Sequence, residues 1–219
     1  VVEARKVDQG EAGSVSIGFL GSVSYSILPN ILKKFKSIYP RVELSLNEKT
    51  SVQQVQALEY GSIEVGFVRP VSLNANMNSQ LVYTEAFLAA LPDEHELLNK
   101  EQIKLQDLAG EKFILFPREL GPGFFDLLIG QCQKAGFSPN IVQEAILMQT
   151  IVSLVAGGLG VSIVPESVKN LNLRGVVFRP IKNIDTNAKI DLIWKKDNQN
   201  PIVGNFLKCV ADLFVDENA

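Results

Sequence analysis

Val15-Ser16-Ile17-Gly18-Phe19-Leu20 is followed directly by Gly21-Ser22-Val23-Ser24. The first six residues place Val15, Ile17 and Phe19 on one face of an extended chain, as a half-buried strand requires. The next four form a small polar turn, and a helix pattern follows. The unit returns further on, where Val42-Glu43-Leu44-Ser45-Leu46 runs into Glu48-Lys49-Thr50-Ser51 and again into a helix pattern. A strand, a hydroxyl-bearing turn and a helix start aim backbone N–H groups and a hydroxyl at one spot. Helix starts carry partial positive charge, so such a spot suits a small anion or polar ligand. No other stretch of the 219 residues has a pattern that points to chemistry.

Working outward, Ile27, Leu28, Ile31, Leu32, Phe35 and Ile38 recur at helical spacing and stop at Tyr39-Pro40. A short helix carries Val52, Val55 and Leu58 and ends at Gly61, and Ile63–Val68 reads as a third strand. Residues 71–79 read as a polar loop, and Leu81–Thr84 and Phe87–Leu91 as strands. A second series starts near residue 105: a strand at Phe113–Phe116, a helix from Phe124 to about Ala135, and a strand at Ile141–Ala145. A helix opened by Gln149-Thr150 and strands at Val161–Val164, Val176–Phe178 and Lys189–Trp194 follow. The last segment is an amphipathic helix with Ile202, Phe206, Val210, Leu213 and Phe214 on one stripe. Strand then helix, repeated twice, predicts two α/β units with mostly parallel sheets, each with helices on both faces. In such folds ligands bind at strand carboxyl ends and domain interfaces.

Composition excludes several function classes. A hydrophobic content of 46% with 21% charged residues is ordinary globular usage. No apolar run reaches the roughly 18 residues of a membrane helix. The opening Val1–Asp8 has no apolar core and does not read as a signal peptide, which gives a cytoplasmic expectation. A net charge of −3 without a concentrated basic face argues against nucleic-acid binding by this segment alone. Cys132 and Cys209 lie far apart in helix patterns and read as reduced packing residues.

Each candidate for chemistry has a bland counterpart. His95, the only histidine, follows Pro92-Asp93-Glu94 and reads as a turn-surface residue, with no nucleophile or orienting group at hand. No cysteine–histidine cluster at ligand spacing and no acidic calcium loop is present, so no metal or other cofactor is expected. Gly157-Gly158-Leu159-Gly160 follows a helix and precedes a strand, the reverse of a nucleotide fingerprint, and reads as a helix stop. Ser22 and Ser51 are read as helix caps that also face a ligand. Arg69, just past a strand, and Arg118, in a Pro/Gly loop, are the candidate carboxylate partners. For each arginine the bland reading is a solvated surface side chain. Gln149 and Thr150 are read as caps of their helix.

These segments resemble one family. Gly13-Ser14-Val15-Ser16-Ile17-Gly18 resembles the entry of the effector-binding domain of LysR-type transcriptional regulators. So do Leu28-Pro29 with its helix to Tyr39-Pro40, Gly61-Ser62-Ile63-Glu64-Val65-Gly66-Phe67, and above all the run from Val155 to Pro165. The resemblance spans 14 to about 215. It implies an α/β fold of the type 2 periplasmic-binding-protein kind, two Rossmann-like subdomains joined by two crossover strands. Residues 1–13 would end a linker helix, 14–86 plus 186–219 would form one subdomain, and 87–185 the other. Crossover strands would lie near Ala86–Leu91 and Lys189–Trp194. The effector would bind between the subdomains, near Ser22, Val23, Ser51, Gly123, Phe124, Gln149 and Thr150, with Arg69 and Arg118 as further candidates. The loop Pro117–Phe124 is similar to that of members sensing aromatic breakdown products such as muconate. Where the family often has His-Pro-Leu, this chain has His95-Glu96-Leu97.

The implied partners are a small organic acid, a second copy of the chain (four copies in the intact protein), RNA polymerase, and DNA only through an N-terminal winged helix-turn-helix that this sequence lacks. No membrane partner is implied. Two other classes fit less well. A transporter's solute-binding protein shares the fold, but the helix-like start and missing leader weigh against it. An enzyme such as a dehydratase would need an acid–base pair that is not evident.

Overall fold

A computed structural model describes residues 9–215. The strands are β1 (Ala12–Phe19), β2 (Arg41–Glu48), β3 (Val65–Val68), β4 (Met77–Glu85), β5 (Phe87–Pro92), β6 (Ile103–Lys104), β7 (Lys112–Leu115), β8 (Asn140–Glu144), β9 (Ser162–Pro165), β10 (Val176–Lys182) and β11 (Ala188–Lys195). The helices are α1 (Gly21–Ser24), α2 (Leu28–Ile38), α3 (Ser51–Glu59), α4 (Pro122–Lys134), α5 (Met148–Ala156) and α6 (Pro201–Val215). The chain divides into two compact units. One is built from the segment up to Tyr83 and the segment from Lys189, the other from Thr84–Ala188. The expected linker helix falls mostly on residues 1–8, outside the described residues; Gln9 and Gly10 form a turn, and β1 starts at Ala12.

The first unit holds a five-stranded sheet in the order β2-β1-β3-β11-β4. β1 runs parallel to β2 over eight pairs, Ala12↔Arg41 to Phe19↔Glu48, and parallel to β3 through Ile17↔Val65 and Gly18↔Gly66. Alternation in β1 sends Val15 and Ile17 to the core, both 0% exposed. They pack with Ile31 and Phe35 of α2, Phe67 of β3, and Phe206 and Val210 of α6. The late helix thus closes the core that the first strands open. Beyond β3 a second cluster gathers Ala57, Leu58, Ile63, Val68, Met77 and Ile193.

Two helix stops follow the sequence reading. After α3, the Gly61 N–H donates to the Leu58 carbonyl (3.1 Å) and the Ser62 N–H to that of Ala57 (2.9 Å). After α5, Gly158 and Leu159 repeat this on Val155 (2.9 Å) and Leu154 (3.2 Å). Both are paired-bond caps that need a left-handed residue, and Gly61 (φ 72°) and Gly158 (φ 76°) supply it. The Gly157–Gly160 run is therefore a helix stop.

The second unit corrects the expectation of mostly parallel sheets. Its four-stranded sheet has the order β6-β10-β5-β9, and β5 is antiparallel to both β10 and β9. Only Ala86 separates β4 from β5, yet the two strands lie in different sheets. The first unit carries one such reversal too, where β11 runs antiparallel to β3. β7 and β8 form a parallel pair, bonded to the segment before β9 through the Ile114 N–H on the Val161 carbonyl (2.9 Å) and the Val161 N–H on that of Lys112 (2.8 Å). The core gathers Phe87, Leu91, Phe113, Leu128 and Ile163. Two local readings also change. The segment read as a loop over 71–79 is strand from Met77 onward, and α4 begins at Pro122 rather than Phe124.

Among the described residues, no helix is long and apolar enough to cross a membrane. No group of three or more His, Cys, Asp or Glu side chains among them is placed to hold a metal ion.

Candidate functional site

In the first unit the chain leaves β1 for β2 on one side, and α3 then carries it past β1 to β3 on the other. The carboxyl ends of β1 and β3 therefore form a switch point, where connections diverge and open α/β sheets leave room for ligands. Three segments end there: Gly21–Ser24 after β1, Thr50-Ser51 after β2, and Arg69 after β3. The first two are stitched together, since the Lys49 N–H donates to the Phe19 carbonyl at 3.0 Å.

Two of the helix-cap readings need correction here. Thr50, not Ser51, caps α3. Its hydroxyl accepts from the Gln53 N–H (3.3 Å), while the Gln53 side chain accepts from the Thr50 N–H (3.0 Å). This reciprocal pair satisfies two of the four amides that a helix start leaves over, and Ser51 and Val52 carry the other two. Ser51, 2% exposed, instead accepts the backbone N–H of Arg69 on its hydroxyl at 3.1 Å. Its hydroxyl proton remains available to an acceptor.

Ser22 is not the cap of a long helix. It lies inside the four-residue α1, whose cap position is Leu20, and α2 begins only at Leu28. Ser22 is 7% exposed. Val23 packs in the core and its N–H donates to the Leu20 carbonyl at 2.9 Å, so its amide is already engaged. The Glu48 carboxylate adds negative charge at this place: a Cβ built on Gly21 would lie 2.7 Å from Glu48 Oε1.

Arg69 is not the solvated side chain of the bland reading. It is 5% exposed and its Nη1 donates to the Lys189 carbonyl at 3.2 Å, at the start of β11.

In the second unit, Arg118 follows β7 on a short 3-10 turn (Arg118–Leu120). Its guanidinium holds Asp126 of α4 in a two-pronged pair, Nε to Oδ1 at 2.7 Å and Nη2 to Oδ2 at 2.8 Å. That hydrogen bonding lowers the Asp126 pKa and raises that of Arg118. Gly123 is exposed, whereas Phe124 is 3% exposed, with its ring 5.9 Å from that of Phe87. Gln149 and Thr150 do not cap α5. The helix starts at Met148, its cap position is Leu147 with no side-chain bond, and both residues are exposed.

His95 is more enclosed than a turn-surface residue. Its Nδ1 accepts from the Leu97 N–H at 3.2 Å, and its Nε2 lies 3.4 Å from Glu111. Cys132 and Cys209 are free and buried, and burial pushes the Cys132 thiol up to about 11 and raises that of Cys209. Neither has the lowered pKa of a reactive thiolate.

The family model described as the LysR substrate binding domain matches residues 8–214. The chain belongs to this family. Its curated relatives include the HTH-type transcriptional regulator AlsR of Bacillus subtilis (strain 168), 35% identical over 204 residues, which cover 93% of this chain and 68% of AlsR. Among solved structures, CbnR, a LysR family transcriptional regulator, superposes with a TM-score of 0.85 at 29% identity, over 95% of this chain and 72% of CbnR. The effector binding domain of BenM with its effector benzoate gives a TM-score of 0.82 at 24% identity, over 94% of each chain, which speaks to the fold alone. The LysR effector-binding fold, of the type 2 periplasmic-binding-protein kind, is therefore the fold of this chain. Its broad role is that of its family, the sensing part of a transcriptional regulator.

Sequence reasoning missed Thr50, Asp126 and Glu48 as parts of the candidate site. The Thr-x-x-Gln spacing of Thr50 and Gln53 was a legible signal for the cap. The others depend on contacts across the fold.

Proposed function

We propose that this LysR-family domain senses a small organic acid, aromatic or dicarboxylic, and performs no catalysis. The observation that carries the reading is Ser51. The hydroxyl of a residue that is 2% exposed sits at the start of a nine-residue helix, at a switch point, anchored to the Arg69 N–H. With the amides of Ser51 and Val52, it offers a carboxylate three donors at the positive end of a helix. Ser22 adds a hydroxyl from the turn after β1. Arg118 has a smaller part, because Asp126 already takes its fork; Arg69 contributes mainly from behind, through its backbone. Phe124, Gly123, Gln149 and Thr150 are the second unit's proposed contributions. That BenM takes benzoate supports an aromatic acid as the first probe.

An acid that binds one arrangement of the two units more tightly than another shifts their populations by its differential affinity and by no more. In the intact regulator we propose that this shift re-angles contacts in a homodimer or tetramer. An N-terminal winged helix-turn-helix on the operator, and RNA polymerase, would read it in the cytoplasm. Ser51→Ala removes one charge-assisted hydrogen bond of about 1.5–3 kcal/mol, so acid binding should weaken about ten-fold or more. Calorimetry with benzoate and cis,cis-muconate checks it. Affinity in the variant equal to that of the parent would show that the acid sits elsewhere.

A further inference from the structure

Gly18 and Gly66 are partners across β1 and β3, in the interior of the sheet. Neither has the positive φ that would explain a glycine there. One side chain lies against both, beside Ile63, whose Cδ1 would be 2.6 Å from a Cβ on Gly18. A Cβ on Gly66 would lie 2.8 Å from Gln54 Oε1, and one on Gly18 would lie 2.9 Å from the same atom. Glycine within a strand marks a close approach, and here the approach is by the Gln54 amide.

Gln54 is 0% exposed and stands on the first turn of α3. Its Nε2 donates to the Lys49 carbonyl at 3.0 Å and to the Phe67 carbonyl at 2.9 Å. Both acceptors are carbonyls, which fixes which end of the amide is nitrogen. Its Oε1 has no hydrogen-bond partner among the described residues and faces the side of the sheet where both glycines lack a Cβ. Weak Cα–H···O contacts are what such an oxygen can gain there. One amide thus meets the chain just after β2 and near the carboxyl ends of β1 and β3. The two Nε2 bonds, not the oxygen, are what hold the side chain in place.

We propose that Gln54 is a positioning residue for the anion site. It braces the first turn of α3 against β1 and β3, and so sets where the Ser51 hydroxyl and the amides of Ser51 and Val52 stand. This rests on the acid-sensing reading above. The brace works together with the Ser51–Arg69 bond: Gln54 grips Phe67, and two residues later the Arg69 N–H grips Ser51.

The test uses the whole chain with Gln54→Ala, Gly66→Ala and the double variant, read by amide hydrogen exchange at Arg69. Gly66→Ala alone should displace the amide and lower the thermal midpoint. In the double variant the new methyl occupies the vacated space, so the midpoint should recover. Arg69 amide exchange should nevertheless remain about ten-fold or more faster than in the parent, the loss of about one hydrogen bond. Gln54→Met, which keeps the length but donates nothing, should show the same acceleration and covers a double variant that fails to fold. Parental Arg69 protection in these variants would overturn the proposal and leave Gln54 as filler. Benzoate titration of the parent separates the two readings. No binding there counts against the acid-sensing reading with benzoate, while the exchange data still decide the brace.

Discussion

Phe206→Ala is expected to lower the stability of the first unit by about 3–5 kcal/mol, the range for removing a buried aromatic ring. Phe206 is 0% exposed. Its ring centroid lies 5.2 Å from that of Phe35 and 6.3 Å from that of Phe67, both edge-on. One side chain of α6 therefore touches α2 and β3 together, and its loss opens a cavity that three elements must close. Because α6 lies far along the chain from β1, the variant also tests whether the first unit is closed by its last helix. Urea denaturation followed by circular dichroism reads it. A loss below about 1 kcal/mol would mean that α6 is not part of this core.

The second large effect is Gly160→Ala. The Cβ it introduces would overlap the carbonyl oxygen of Lys112 and lie 3.4 Å from the Lys112 Cβ. That carbonyl already accepts the Val161 N–H at 2.8 Å. The methyl group must push β7 away from the segment entering β9, and neither backbone can yield without breaking the ladder. Overpacking of this kind costs about 3 kcal/mol. Gly158→Ala is the internal control. Its φ of 76° makes alanine strained, but nothing lies within 4 Å of the added Cβ. It should cost about 1–2 kcal/mol. Thermal melts that rank Gly158→Ala as the more damaging change would contradict the packing described at β7.

Much of the fold was legible because its signals are local. The alternation of Val15 and Ile17, the helix stop at Gly158 and the apolar stripe of α6 each act within a few residues. Strand direction in the second unit was not legible, because the order of elements is silent on pairing. β5 takes β9 and β10 as antiparallel partners, both reached only much later in the chain. At the site, adjacent Thr50 and Ser51 are equally fit to cap. The choice falls to Gln53, which completes the box with Thr50, and this frees Ser51 for a partner eighteen residues away in sequence. Arg118, a candidate carboxylate partner from its place in a Pro/Gly loop, is taken by Asp126 one turn into α4, through both of its prongs. The burial of Arg69 depends on Lys189, which is 120 residues away in sequence. Gln54 was invisible as a brace, since its meaning lies in two glycines on different strands that come together only in the sheet.

Amide-resolved NMR of the isotopically labelled chain, titrated with benzoate or cis,cis-muconate and with benzamide as the neutral control, tests the central claim most directly. The expected result is a saturable shift centred on Gly21–Ser24, Ser51, Val52 and Arg69, produced by an acid and absent with benzamide. Equal shifts from benzamide, or acid-dependent shifts that leave Ser51 and Val52 untouched, would contradict it.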